Sequence, residues 1–511
     1  MSLRTSTLLV AALAFLQLGS CARILGVFPV TSVSHQVVYL ALMRELARRG
    51  HQVTVITTDP LNDPSLGNYS EIDVSFMYED YRRRFNFAGR RMDDRSPYDL
   101  AESLLVYGAR WCEMLLEHEP VQRLISPENT RARFDLVFLE WLNTPATYGF
   151  AHRFSAPMIG VASLPPFAFC HDSVGNPTNP SYIPEAFLPY SDRMTFFQRL
   201  DTLVYSLRTR WFFYGAVVPR HQAIAERHFG PSMPSVLDLH YNVSMLFVNF
   251  EPSFHPPRPE VPAVVHLSGL HINPPKPLPQ ELQQFLDSAP EGAIYFSLGS
   301  NVRSDRLDAG KRQMFLDAFR ALAGCRVLWK WEADSLPGRP ANVMVRKWLP
   351  QQDVLRHPNV KLFIMQGGLQ SLEEAVHSGV PLIAIPFFSD QDYNTKRIVE
   401  KGIGLKLDIT EVSKEKILHV LTTVLGNSSF RENARRLSAV MADQQMAPLE
   451  RAVWWTEYVL RHRGAAHLRS AAVGMPWYQY LLLDVAGFLL ACALLAALLL
   501  WRTCGRVLRR P

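Results

Sequence analysis

The sequence predicts an α/β protein of two parallel-sheet halves followed by a single C-terminal apolar helix. Three observations carry that expectation. Apolar runs of strand length alternate with helical repeats in both halves. A strand, a Gly-Gly turn and a helix follow one another at 361–377. The stretch 480–501 is apolar apart from Asp484 and long enough to span a bilayer. At 511 residues the chain exceeds one hydrophobic core, so two domains are expected.

The N-terminal end reads first as an address. Residues 1–22 combine Arg4, an apolar run at 8–18 and the small residues Gly19, Ser20 and Ala22, the pattern of a secretory signal peptide. After it, 23–30 reads as an apolar strand, 36–49 as an amphipathic helix, Gly50 as its C-cap and 52–57 as a second strand. The connection holds Ser34 and His35, which places an imidazole at the C-terminal edge of the first strand. Such a group titrates near neutrality and can take a proton from a substrate hydroxyl. It needs a carboxylate to orient it, and the strand at 134–139 is followed by Glu140. Asp135 is the fallback, although its odd offset from Glu140 turns it to the other face. The non-catalytic readings are a helix-start polar group for His35 and a helix cap for Glu140.

In the middle of the chain, 164–190 is rich in aromatics and 196–213 is amphipathic. Phe196, Phe197, Leu200, Leu203, Val204 and Leu207 fall on one helical face, expected to pack into the core. The sharper readings of that face are a wall for a lipophilic ligand or a membrane contact. Prolines recur from 251 to 279, as in an extended connector, which puts the domain boundary near 275. The halves are then 23–275 and 276–445, with further helices over 446–476 that include Trp454, Trp455 and Tyr458.

The second half holds the most specific stretch, 348–391. Trp348 offers a flat ring on which a base can stack, and Gln351 an amide to read its edge. Gly367 and Gly368 lack a Cβ and let the backbone approach a diphosphate at the start of the helix 369–377. Gln366 precedes them, Gln370 stands on the first turn, and Glu374 lies where a carboxylate can take both hydroxyls of a ribose. Asp390 and Gln391 follow the apolar run 380–388, at the strand end where open α/β sheets bind ligands. Ser300, after the strand 293–298, is a further phosphate contact or a plain turn residue.

This stretch resembles the signature of the UDP-glycosyltransferases, closest in wording to the insect branch, and the similarity runs from Arg23 to the basic tail. The resemblance implies two facing Rossmann-like domains (the GT-B fold), with the acceptor on the first and the UDP-sugar on the second. It implies an inverting transfer of a hexose, glucose in the insect members, to a hydroxyl of small lipophilic acceptors, as in detoxification or hormone and pigment conjugation. By it His35 is the base and Glu140 its orienting partner. The UDP-sugar contacts are Ser300, Trp348, Gln351, Gln366, Gly367, Gly368, Gln370, Glu374, Asp390 and Gln391. Helix 448–463 should cross back onto the first domain. Two departures stand out: Glu140 where the family has Asp, and Gln366 where it has His. They motivate a rival reading, a non-catalytic lumenal UDP-sugar-binding or regulatory protein. A single-span adhesion or receptor glycoprotein is a third, opposed by the short tail.

The remaining composition narrows the class. The net charge of +6 is modest and four arginines fall among the last ten residues, so no basic stripe speaks for nucleic acid. Arg82–Arg84 with Arg90, Arg91 and Arg95 reads as a solvated face, neutralised by Glu79, Asp93 and Asp94. Trp477, Tyr478 and Tyr480 precede the apolar helix as an interfacial belt, with 477–501 the expected span. The tail 502–511 carries Arg502, Arg506, Arg509 and Arg510. The positive-inside rule then makes a single-pass type I protein with a lumenal body, expected in the endoplasmic reticulum membrane. Cys112, Cys170 and Cys325 allow at most one disulfide and have no metal-ligand spacing, and no metal or cofactor beyond the co-substrate UDP-sugar is expected. Asn68, Asn242 and Asn427 are sequons. A homo-oligomer is compatible with the sequence, which does not specify one.

Overall fold

Among the described residues every strand pairing is parallel, and the strands form two sheets. The computed structural model describes residues 21–84 and 96–507. In the first half the strands are β1 (Arg23–Phe28), β2 (Gln52–Thr57), β3 (Tyr69–Asp73), β4 (Leu136–Glu140), β5 (Met158–Ala162), β6 (Met245–Val248) and β7 (Val264–His266). They stand side by side as β3-β2-β1-β4-β5-β6-β7. In the second half β8 (Ala293–Ser297), β9 (Arg326–Lys330), β10 (Val343–Arg346), β11 (Val360–Met365), β12 (Leu382–Ala384) and β13 (Gly404–Lys406) stand as β10-β9-β8-β11-β12-β13.

The near-continuous apolar character of β4, β8 and β11, interrupted only by Glu140 and Ser297 at the strand ends and by Lys361 near the start of β11, follows from this arrangement. Helices cover both faces of a parallel sheet, so its strands are buried on both sides and need not alternate. All five residues of β4 and all five of β8 are buried. Strand order reverses between β1 and β4 in the first sheet and between β8 and β11 in the second. Loops leaving the carboxyl ends there diverge and open a crevice.

Helix α1 (Val33–Arg48) buries Val38, Leu42, Met43 and Leu46 against the core that holds Ile24, Phe28 and Val53. Each such side chain contributes about 1.5–3 kcal/mol. Helix α2 (Pro97–Glu117), capped by Ser96 accepting from the Asp99 N–H, buries Leu105, Trp111 and Leu115. Helix α3 (Phe196–Phe212) lies beside it. In the second half α4 (Leu369–His377) follows the glycine pair, and α5 (Gln391–Glu400) follows β12. Helix α6 (Pro448–Arg461) returns to the first half, where Ala452, Val453 and Val459 join the core of α1. Helix α7 (Leu483–Val507) is long and apolar enough to cross a membrane over Leu483–Cys504.

Several expected boundaries move. The α1 helix begins at Val33, three residues earlier than its pattern suggested, so His35 sits on its first turn rather than in the connection. Glu140 is the last residue of β4 rather than the residue after it. Of the apolar run 380–388 only Leu382–Ala384 pairs as a strand. The proline-rich connector contains β7, which pairs with β6 and closes the first sheet at its edge. The short Trp477–Tyr480 turn is separate from α7.

The largest departure is α3. Its apolar face does not pack into a core: Phe197 is 76% and Trp211 74% exposed, while Thr202, Tyr205, Ser206 and Thr209 face inward. The expected leader lies outside the described residues except for Cys21 and Ala22, and the Ala22 carbonyl accepts from the Gln52 N–H at 2.9 Å. Arg83 and Arg84 pair with Glu79 and Asp80 on an exposed helix, as expected of a solvated face. Arg90, Arg91, Asp93, Asp94 and Arg95 lie outside the described residues, as do Arg509 and Arg510.

Candidate functional site

The switch point of the first sheet brings His35 and Glu140 together. β1 and β4 are neighbours in register, so the first turn of α1 stands beside the last residue of β4. His35 Nδ1 lies 2.9 Å from Glu140 Oε1. Glu140 is fully buried and accepts twice more, from the Tyr39 hydroxyl at 3.0 Å and the Val30 N–H at 3.2 Å. Burial and the Glu140 charge push the Tyr39 hydroxyl well up, so it stays protonated as a donor. With Nδ1 committed to the carboxylate, the imidazole has Nε2 left for a ligand. Asp135 stands at the opposite end of β4, where its carboxylate accepts from the Arg23 N–H at 2.8 Å, so it does not orient His35.

His35 lines a small cavity of about 70 Å³ with Leu104, Trp111, Phe167, Asn301 and Phe388. Ligand pockets for small organic molecules occupy about 300–1,000 Å³. Admitting one therefore requires the walls to part. One wall is the loop after β12, where Ser389 holds a left-handed φ of 61°. Such strain in a residue other than glycine collects at functional sites.

The switch point of the second sheet opens a cavity of about 400 Å³. Ser300, Trp348, Gln351, Gln366, Gly368 and Glu374 line it, and Gln370 reaches it as well. Trp348 is 65% exposed, which leaves ring surface on which a base can stack. Gly368 is the N-cap of α4, so the unpaired N–H groups of that helix face the cavity. Gln366 is buried, and its Oε1 has no hydrogen-bond partner among the described residues. A buried amide end left unpaired costs about 1–3 kcal/mol, which a ligand phosphate met by the amide turned over would offset.

Several expected contacts are engaged within the protein. Gln351 donates to Glu374 at 2.7 Å and Ser371 at 2.9 Å, and accepts from the Tyr295 hydroxyl at 2.9 Å. Its amide is thus a support for Glu374 rather than a reader of the base edge. Glu374 also takes Gln352 Nε2 at 3.1 Å and lies 3.4 Å from His271. A carboxylate has about four acceptor positions, and with these three donors one is left for a ribose hydroxyl. Gln370 donates to the Ser163 carbonyl at 2.7 Å, across to the first half, so its amide joins the two domains. Gln391 Oε1 accepts from the N–H groups of Phe387 and Phe388 at 2.7 and 3.1 Å, so its amide nitrogen is the end that can meet a sugar. Asp390 is buried, and Asn394 donates to it at 2.7 Å. Burial pushes the Asp390 carboxyl up, against the opposing charge of His35.

The two glycines differ. Gly367 has φ +87°, and a Cβ there would meet Thr395 Oγ1 at 2.9 Å and the Gln391 carbonyl at 3.0 Å. It is required by packing against α5, not by approach to a phosphate. Gly368 has ordinary backbone angles and borders the cavity.

Sequence reasoning missed three groups. Lys330, at the end of β9, enters the cavity with Nζ 2.9 Å from the Gly299 carbonyl and 2.7 Å from Glu332, under the Trp348 ring. The signal was present: a lysine closing a strand directly after the apolar run 327–329. Asn301 donates to Ser32 beside His35 at 3.2 Å, joining the halves at the site. Glu373, buried on α4, accepts from Ser268 at 2.5 Å and Asn249 at 3.1 Å. No local motif marks these last two.

Outside the site, Asn68 donates its amide to the carbonyls of Ala47 and His51, both at 2.7 Å, so a glycan there would displace both bonds. Asn242 and Asn427 are exposed. Cys112, Cys170 and Cys325 are buried free thiols.

Comparison with known proteins bears on this geometry. The family model described as UDP-glucoronosyl and UDP-glucosyl transferase matches residues 23–510. UDP-glycosyltransferase UGT5 of Dactylopius coccus is 39% identical over 93% of this chain and 90% of its own length. UDP-glucuronosyltransferase 2B30 of Macaca fascicularis is 31% identical over 96% and 94%. Among solved structures, the glycosyltransferase VinC in complex with dTDP aligns with a TM-score of 0.56 at 15% identity, over 86% of this chain and all of its own. The last likeness speaks for the fold, two facing Rossmann-like domains of the GT-B type.

Proposed function

Given that the chain belongs to the UDP-glucoronosyl and UDP-glucosyl transferase family and is a UDP-glycosyltransferase, we propose that it moves a hexose, glucose foremost, from a UDP-sugar to a hydroxyl of a small lipophilic acceptor. The observation that carries the reading is the His35–Glu140 contact at 2.9 Å, on one side of a crevice whose other side holds the cavity of the second sheet. The longer Glu140 side chain closes the contact, which weakens the case for a non-catalytic binding protein.

The acceptor enters beside His35 and the UDP-sugar lies along α4. His35 Nε2 takes the acceptor proton while Glu140 steadies the imidazolium through Nδ1. The acceptor oxygen attacks the anomeric carbon, the bond from that carbon to the diphosphate oxygen breaks, and the sugar is inverted. UDP departs with its new charge against the α4 N-terminus, Gln366 and Lys330. Trp348 stacks the base and Glu374 takes the ribose. Asp390 and the amide nitrogen of Gln391 hold the sugar hydroxyls. The protein is a single-pass membrane protein, with its body in the lumen of the endoplasmic reticulum.

The test is to supply membranes bearing the full chain with UDP-glucose, UDP-glucuronic acid or UDP-galactose and a panel of phenols and steroids. Glucosides foremost would support the reading. Glucuronides foremost would replace the donor, and binding of UDP without any product would favour the non-catalytic alternative.

A further inference from the structure

Helix α3 presents an apolar face to solvent and a polar face to the protein, the reverse of a core-packed helix. Phe196, Phe197, Leu200, Val204, Leu207 and Trp211 are all exposed and recur at helical spacing. The inward residues carry hydroxyls, and Thr209 satisfies its own by donating to the Tyr205 carbonyl at 2.9 Å. A contiguous exposed apolar face of this kind marks an interaction surface.

The face cannot roll inward. Thr195 and Gln198 close a capping box at its start. Arg210 grips Asp172 through two bonds of 2.7 and 2.9 Å, and Arg208 reaches Glu102 on α2 at 2.7 Å. The helix is therefore held with Phe197 and Trp211 outward.

The position of the chain's own apolar span identifies what covers it. Asp172 lies three residues before Gly175, and a Cβ on Gly175 would come within 3.0 Å of both Ser470 and Val473. The segment that leads to α7 thus docks on the turn that anchors α3. From Val473 to Leu483 the chain can reach at most about 33–36 Å, comparable to the roughly 25 Å length of a 17-residue helix. Along that way Met475, Trp477, Tyr478 and Tyr480 are exposed, the residue types that settle at a membrane interface.

We propose that α3 lies on the surface of the same phospholipid membrane that α7 crosses, with Phe197, Leu207 and Trp211 among the acyl chains. Interfacial helices sink their apolar face about 5–10 Å into the headgroup boundary. Exposed Arg193 and Arg199 stand at its start, where phosphate headgroups would meet them. The body then has two attachments to the membrane rather than one. Through α2, which supplies Leu104 and Trp111 to the cavity beside His35, the membrane surface comes within one layer of helix of that cavity.

The test uses the full-length chain in phospholipid nanodiscs, with p-benzoyl-phenylalanine in place of Phe197, an exposed ring whose replacement leaves the packing intact. Leu490 within α7 is the positive position and Val440, exposed on the second half, the negative one. Irradiation followed by mass spectrometry is expected to give a phospholipid adduct at 197 as at 490, and none at 440. An adduct at 490 with none at 197 would overturn the proposal. So would crosslinking of 197 to a second copy of the chain, which would make the face a protein interface.

Discussion

Glu140 holds His35 from the far side of a strand pair, its Oε1 2.9 Å from the ring Nδ1 while the Tyr39 hydroxyl donates to the same oxygen. The carboxylate is fully buried and also accepts from the Val30 N–H, so it is held in place with one ring to orient. Replacing Glu140 with Gln keeps the shape and removes the charge. We expect turnover to fall by about 10²–10⁴, with UDP affinity unchanged. Turnover and UDP titration on the same preparation check both halves of that statement.

Lys330 is the one cation among the described residues that borders the Ser300–Gln366 end of the second cavity. Lys330→Met should weaken UDP binding about tenfold or more, the loss of one charged hydrogen bond. Calorimetric titration at two salt concentrations checks it, since the wild-type advantage should shrink as salt rises.

The adjacent glycines separate folding from binding. Gly367→Ala places a Cβ against Thr395 and Gln391 at a positive φ, and should cost about 1–3 kcal/mol of stability. Gly368→Ala has ordinary backbone angles and should leave the melting temperature nearly unchanged while weakening UDP binding. Thermal unfolding with and without UDP distinguishes the two.

The joint between the domains should respond to pH through His271. Burial alone would lower its imidazole, yet Glu374 and Glu373 hold it above the ordinary 6.5. For Glu374 burial alone would raise the carboxyl, but His271 and the two glutamines hold it below the ordinary 4.5. A raised histidine stabilises fully below 6.5 and loses that contribution as pH rises through its folded value. A depressed carboxylate stabilises above 4.5 and loses its contribution as pH falls. The pair therefore contributes most between these limits, while burial, which pushes the Glu373 carboxyl up, costs stability as pH rises from 4.5. Relative to His271→Gln, the wild type should lose more stability as pH rises from 6 to 8.5. Equal pH dependence in the two would refute the coupling.

How far the sequence could be read depended on how local the cause was. The α4 helix fell where its glycine turn placed it, and the His35–Glu140 pair followed from two apolar strands ending beside polar residues. Gln370 and Gln391 looked like ligand contacts by spacing. The partner of Gln370 is a carbonyl 207 residues away, and that of Gln391 a loop whose course no pattern revealed. The β7 strand was hidden among prolines because edge strands tolerate them. In α3 the periodicity was plain, but periodicity alone does not say which face is buried.

The central claim, that His35 is the base of the transfer, is tested most directly by His35→Ala in the full-length membrane-bound chain. Initial rates with saturating UDP-sugar and an accepted phenol would be compared with those of the wild type. Loss of turnover by about 10²-fold or more, with UDP still raising the melting temperature as in the wild type, is the expected result. Turnover within a few-fold of wild type would contradict the account and leave His35 a helix-start residue held by Glu140 for structure alone.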